Sequence, residues 1–191
     1  MYSLKKYNMR RVIMNTKGNL TDFIYAALFA ALTAVLGFVS IPLPFSPVPV
    51  SGQSLGIMLA GSILTVRQAL FSVLTFILIG AAGIPVFSGF AGGIGVVFGP
   101  RGGYYFGFLV GVVVIALLRR HRNTIWCLAL ANSIGGIIIV YLFGILWLSF
   151  ITGMGVEKAF MAGALPFIPG DLFKVFVATI IGVAINKRLP H

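Results

Sequence analysis

The sequence predicts an all-α integral membrane bundle of six transmembrane helices. Three observations carry this: long apolar runs, very few charges, and basic residues gathered at the ends of those runs. Of 191 residues, 59% are hydrophobic and 9% charged, against roughly 25% charged in a typical soluble domain. A soluble fold of this size keeps much of its surface in water and cannot hide so much apolar area. The 24 glycines suit membrane helices whose backbones approach closely. The single cysteine, Cys127, cannot form an internal disulfide.

The first long run, Leu20–Ile41, follows Lys5, Lys6, Arg10, Arg11 and Lys17. Its length covers about 30 Å as a helix, enough to cross a bilayer. A positive start before an apolar run can mimic a signal peptide. This run is too long, lacks a clear cleavage site and precedes further spans, so it reads as an uncleaved first helix. Residues 1–16 read as a mobile cytoplasmic tail and residues 17–191 as one six-helix membrane domain. The prolines of Pro42-Leu43-Pro44-Phe45-Ser46-Pro47-Val48-Pro49 cannot continue a helix and predict a short, stiff loop outside the membrane. Ser54–Val66 and Ala69–Ala82 are short runs separated by Arg67-Gln68, as expected of a tight helical hairpin. Gly83–Gly103 is glycine-rich and irregular; Tyr104–Leu118, Thr124–Ile151 and Leu172–Ile185 complete the set of spans.

Orientation follows from the Lys and Arg balance. Six crossings put the N-terminal group, Arg67, the Arg119-Arg120-His121-Arg122 turn and Lys187-Arg188 on one side, eleven of the 14 basic residues. Arg101, Lys158 and Lys174 fall on the other. The crowded side is therefore cytoplasmic, with both termini inside. The net charge of +11 is thus a topology signal; no nucleic-acid motif accompanies it.

There are three acids: Asp22, Glu157 and Asp171. Asp22, beside Thr21, reads as an N-terminal helix charge favoured by the helix dipole. Glu157 and Lys158 read as a solvated pair in an outer loop Thr152–Gly163. Asp171 and Lys174 follow Pro166-Phe167-Ile168-Pro169-Gly170, and a spacing of three sets both on one helical face. Ionisable groups in hydrocarbon are expensive and tend to mark functional cavities. The plain alternative is a helix cap at Asp171 and a snorkelling Lys174. Arg101, in Gly99-Pro100-Arg101-Gly102-Gly103-Tyr104, belongs to the same outer side. Glycines 95, 99, 103, 107 and 111 recur every fourth residue. From 103 onward they predict a flat stripe for helix packing, and before it a folded loop with positive φ. Ala26, Ala30 and Ala34, with Ala27 and Ala31 beside them, form another small-residue stripe, equally suited to internal packing or to docking another membrane subunit.

Catalysis is not expected. There is no GxxxxGK[ST] phosphate loop, so the chain is not itself an ATPase. There is no HExxH, and His121 and His191 lie on the cytoplasmic side, far from Asp171. A proton-coupled carrier would want an ionisable relay near the membrane centre, whereas Asp22 and Asp171 lie toward opposite faces.

Ala26-x-x-x-Ala30, the segment Pro47-Val48-Pro49-Val50-Ser51-Gly52-Gln53-Ser54-Leu55, the segment Gly99-Pro100-Arg101-Gly102-Gly103-Tyr104-Tyr105-Phe106-Gly107-Phe108, and Pro169-Gly170-Asp171-Leu172-Phe173-Lys174 together resemble the BioY family. These are the biotin-specific substrate-binding (S) components of energy-coupling-factor (ECF) vitamin transporters, and the likeness covers nearly all of residues 17–188. The resemblance implies a six-helix bundle that captures biotin from outside, then docks on a transmembrane coupling (T) protein driven by two ATPases. The alanine stripe resembles the surface such components use for that docking. Biotin would be transported cargo, with no cofactor implied.

Biotin carries an apolar bicyclic sulfur ring, a urea and a carboxylate tail. Asp171 is suited to accept a urea N–H, and Lys174 to donate to the carbonyl or meet the carboxylate. Arg101 is suited to clamp the carboxylate near the mouth. Gln53 and Ser51 offer further polar atoms, and Tyr104, Phe90 or Phe87 a surface for the ring. Loops 42–50 and 84–103 are candidate lids. The rival readings are a thiamine or riboflavin binder of the same class and an independent secondary carrier.

Overall fold

The computed structural model describes residues 2–119 and 124–188, with side chains from Leu20 onward. The readings of a mobile tail at 1–16, of the turn at 120–122 and of His191 lie outside the side chains so described. The fold is mostly helical. Helix α1 (Tyr2–Phe38) contains the apolar span Leu20–Phe38 and leads into strand β1 (Ser40–Ile41). β1 pairs antiparallel with β2 (Val50–Ser51), Ser40 opposite Ser51 and Ile41 opposite Val50. The proline loop is therefore the tip of a small β-hairpin, an element that the helical reading lacked. Proline has no N–H to donate, but the two residues flanking the loop on each side do, and they close it.

Helices α2 (Gln53–Ile63) and α3 (Val66–Ala81) form the expected tight hairpin, too short to match the four longer spans. The turn is closed by a capping box: the Thr65 hydroxyl accepts from Gln68 N, and Gln68 Oε1 accepts from Thr65 N. Ile57, Met58 and Ala60 of α2 are fully buried among α1, α5 (Gly102–Arg119) and α9 (Ile168–Asn186). That central position is available because Gly56 and Gly61 have no side chain. A Cβ on either would collide with Thr33 of α1 or Ile115 of α5.

Between α3 and α5 the chain loops through the short helix α4 (Ile94–Val97), with positive φ at Gly83, Gly89, Phe90 and Gly93. The expected folded loop is present. Residues 125–152 form one 28-residue span. It is built of α6 (Ile125–Ser133), a π-helical stretch Ile134–Ile139, and α7 (Val140–Thr152). The glycine stripe of α5 packs on this span: a Cβ on Gly103 would strike Trp147 and Phe143, on Gly107 Val140, and on Gly111 the carbonyl of Gly135.

The segment read as an outer loop with a Glu157–Lys158 pair is instead helix α8 (Val156–Gly163), on which both residues are exposed. Neighbours in sequence point about 100° apart on a helix, so the two do not face each other. A 3-10 turn, Leu165–Phe167, leads into α9, whose early Pro169 costs no helix hydrogen bond. Asp22 is also placed differently. It lies well inside α1, away from that helix's own N-terminus, and accepts at 2.7 Å from Nε2 of Gln68 in the first turn of α3.

A polar network ties the bundle together at the Arg119 end. Ser62 Oγ donates to Asn132 Oδ1, and Asn132 Nδ2 to Thr179 Oγ1. Asn186 Nδ2 donates to the Ser62 carbonyl, and Arg119 donates to Asn186 Oδ1 and the Leu64 carbonyl. These buried amide and hydroxyl groups are tolerated because they find partners, whereas the buried Arg119 Nε has none among the described residues.

Candidate functional site

A concave, mostly apolar cavity into which several polar groups converge lies at the other end of the bundle, the usual character of a small-molecule site. Val48, Pro49, Val50 and Ser51 of the β-hairpin line one side. Gln53 and Ser54 come from α2, Ser88 and Arg101 from the loop and start of α5, Tyr104, Tyr105 and Phe108 from α5, Val140 and Tyr141 from α7, and Phe167, Asp171 and Lys174 from the last segment. The hairpin and the loop residues Ser88 and Arg101 thus meet over the cavity, where lids were expected.

Its polar centre is an i,i+3 ion pair: Lys174 Nζ stands 2.7 Å from Asp171 Oδ1, with side chains 14% and 7% exposed. Lys174 also donates to the Ser51 carbonyl at 2.7 Å and to Ser54 Oγ at 2.9 Å. Ser54 Oγ donates to Asp171 Oδ1 at 3.0 Å, and Tyr141 donates to Asp171 Oδ2 at 2.5 Å. The plain alternative for this pair is therefore set aside. The Asp171 carboxylate makes no helix-cap bond, and Lys174 reaches inward to three acceptors rather than outward.

Arg101 stands apart from that cluster. Its Nη1 donates to the Ser88 carbonyl at 3.0 Å and its Nε to the Pro47 carbonyl at 3.4 Å, which ties the two lining segments together. No carboxylate pairs with it among the described residues, where Asp171–Lys174 is the ion pair found. The cavity wall thus holds one neutralised pair and one uncompensated cation. Gln53 donates to the Val86 carbonyl at 3.3 Å. Tyr104 donates its hydroxyl to the Gly163 carbonyl at 2.7 Å, so its ring, not its oxygen, is offered to the cavity.

Asp171, Lys174, Arg101, Gln53, Ser51 and Tyr104 are brought to one cavity. Phe87 and Phe90 are not. Phe87 is fully buried behind the wall, stacked on Tyr105 at 4.4 Å between ring centroids, and supports the site at one remove. Phe90, at positive φ, is 66% exposed and stacks on Phe38 of α1 instead. Sequence reasoning missed Ser54, Ser88, Tyr105, Phe108 and Tyr141. For Tyr141 an α-helical wheel misleads: nine positions from the buried Asn132, it would fall on the opposite face of a regular helix. The π turns between them rotate less per residue, and both side chains face the interior.

The alanine stripe divides. Ala26 and Ala30 are 2% and 4% exposed, covered by their own chain where α1 packs against α3 and α2, so neither presents much surface. The half-buried Ala34 and the exposed Ala27 and Ala31 line a shallow apolar groove between α1 and α3, with Thr75 and Ile79 opposite and Ala30 at its floor. Among the described residues, no group of three or more His, Cys, Asp or Glu side chains gathers to hold a metal ion.

Four helical stretches are long and apolar enough to cross a membrane. Their lipid-sized apolar exteriors, with Phe150 and Phe173 exposed at 82% and 68%, mark a multi-pass membrane protein.

Residues 9–191 match the model of the BioY family. "Biotin transporter BioY" of Rhizobium etli is 39% identical over 179 residues, covering 88% of this chain and 95% of the relative. "Biotin transporter BioY" of Thermotoga maritima is 37% identical, covering 87% of this chain and 96% of the relative. A crystal structure of the S-component for biotin from an ECF-type ABC transporter superposes with a TM-score of 0.82 at 30% identity, over 90% of this chain and 93% of that one. By family model, by full-length relatives and by structure, the chain belongs to the BioY family.

Proposed function

We propose that this chain is the substrate-binding component of an ECF-type transporter and takes up biotin through the cavity between the β-hairpin and α9. The names of its relatives and the function of its structural neighbour support biotin. The observation on this chain that carries the reading is the charge layout of the cavity. A neutralised Asp171–Lys174 pair and an Arg101 with no carboxylate partner among the described residues line the same cavity, whose remaining wall is largely aromatic and aliphatic. That layout suits a ligand with a neutral hydrogen-bonding head, an apolar middle and a carboxylate tail. The urea then meets the cluster around Asp171 and Lys174, the ring lies along Tyr104, and the carboxylate meets Arg101, with Gln53 and Ser51 satisfying remaining polar atoms.

The same reading counts α2 and α3 as two of six crossings, with both termini cytoplasmic, as the Lys and Arg balance favours. The cavity then opens outward, and the groove at Ala27, Ala31 and Ala34 faces the bilayer, where a T protein driven by two ATPases would dock. With no phosphate loop in the sequence, energy must come from a partner or a gradient, and this reading assigns it to the ATPases.

Calorimetric titration of biotin into the detergent-purified chain tests the proposal. One-to-one binding at nanomolar affinity, about −12 kcal/mol, is expected. A well-folded chain that binds no biotin overturns it and returns thiamine, riboflavin and the independent carrier.

A further inference from the structure

The Asp171 cluster is closed on itself to a degree that changes which atom a ligand meets. Asp171 is 5% exposed, and both its oxygens are engaged: Oδ1 by Lys174 and Ser54, Oδ2 by Tyr141. An ammonium has three donors, and those of Lys174 are matched by Ser51 O, Ser54 Oγ and Asp171 Oδ1. Tyr141 differs. A phenol has one proton and acceptor capacity besides. The proton goes to Asp171; among the described residues no donor is directed at the Tyr141 oxygen, and the residue lines the cavity. Donating a short bond to a carboxylate in a low-dielectric site also makes that oxygen a better acceptor.

We propose that Tyr141 is a specificity-determining residue: its oxygen accepts one N–H of the ligand's urea, and Asp171 acts on that N–H through it. Tyr104, also on the wall, does not compete for the role, because its hydroxyl is turned to Gly163. The inference rests on the biotin reading above. It assigns selectivity for an unsubstituted N–H to a residue outside the charged pair. A site built around a hydrogen bond rejects analogues that cannot make it far more strongly than a site that reads shape alone.

The test compares wild type, Tyr141→Phe and Ser54→Ala, each titrated with biotin and with the two mono-N-methyl ureido derivatives of biotin. Wild type is expected to bind biotin tightly and to discriminate strongly against one of the two N-methyl isomers. Tyr141→Phe is expected to bind biotin roughly 10- to 100-fold more weakly and to lose that discrimination. Ser54→Ala removes a different donor to the same carboxylate, and is expected to weaken binding while keeping the discrimination. Repeating the comparison in membrane vesicles decides the case for a variant lost in detergent. Tyr141→Phe binding biotin as wild type does, or losing the same factor for all three ligands, overturns the role of the Tyr141 oxygen alone. Wild type failing to bind biotin at all overturns the functional reading itself.

Discussion

Gln68 binds two elements at once: its Oε1 accepts from Thr65 N at 3.1 Å while its Nε2 donates to Asp22 at 2.7 Å. One amide side chain therefore closes the α2–α3 turn and fastens α1 to it. Two of the ring contacts lie beside this bond, with Phe23 of α1 stacked on Phe71 of α3 and the Arg67 guanidinium 5.4 Å from the Phe71 ring centre.

Because it serves both purposes, Gln68→Ala removes a cap and an interhelical bond together. A capping loss alone costs about 0.5–2 kcal/mol. The variant is expected at or above the upper end of that range, while Asp22→Ala, which spares the capping box, costs less. Thermal unfolding of the two purified variants checks the order.

Arg101 carries the uncompensated charge of the cavity and also ties two lining segments, so its substitution should be felt most by a ligand that bears a carboxylate. Arg101→Gln is expected to weaken biotin binding by roughly 10- to 100-fold, the value of a charge-assisted hydrogen bond. The same substitution should weaken binding of biotin amide, which lacks the carboxylate, clearly less than binding of biotin, the amide's loss reporting the ties to Ser88 and Pro47. Titration of both ligands into both proteins decides it; equal losses would place the carboxylate elsewhere.

Asp171→Ala is expected to abolish tight biotin binding and still to reach the membrane. It strands the Lys174 ammonium, which is only 14% exposed. Breaking a buried pair in this way costs about 3–5 kcal/mol. The melting temperature should therefore fall as well, and Asp171→Ala/Lys174→Met should recover much of the stability without recovering binding. Calorimetry beside a thermal melt separates the two effects.

Glycines in one sequence pattern should differ in cost. A Cβ at Gly111 would run into the Gly135 carbonyl, whereas at Gly95 it would meet nothing within 4 Å. Gly111→Ala is expected to destabilise by about 1–3 kcal/mol through overpacking. Gly95→Ala, in the short helix α4, should stay within about 0.5 kcal/mol of wild type. Melting curves of the two variants give the comparison.

Much of the membrane architecture was legible in composition and periodicity. Lipid imposes one solvent on every helix, so the apolar runs, the short hairpin at Arg67-Gln68 and the glycine face of α5 could be read along the chain. Asp171 and Lys174 were legible for the same reason: a charge in an apolar run is costly enough to stand out. The β-hairpin at Ser40–Ser51, the helix α8, and the placements of Asp22, Phe90 and Ala26 were not, because each depends on what lies across from it. Tyr141 shows the reason most clearly. Its hydroxyl meets a carboxylate thirty positions away, and the turn that aims it there is a π-helical stretch that local periodicity does not encode. The amino-acid sequence by itself determined that this is a membrane bundle with a charged pair at one end. Tertiary structure decided which oxygens of that pair are already taken, because hydrogen bonds between distant segments depend on distances that appear only once the helices pack.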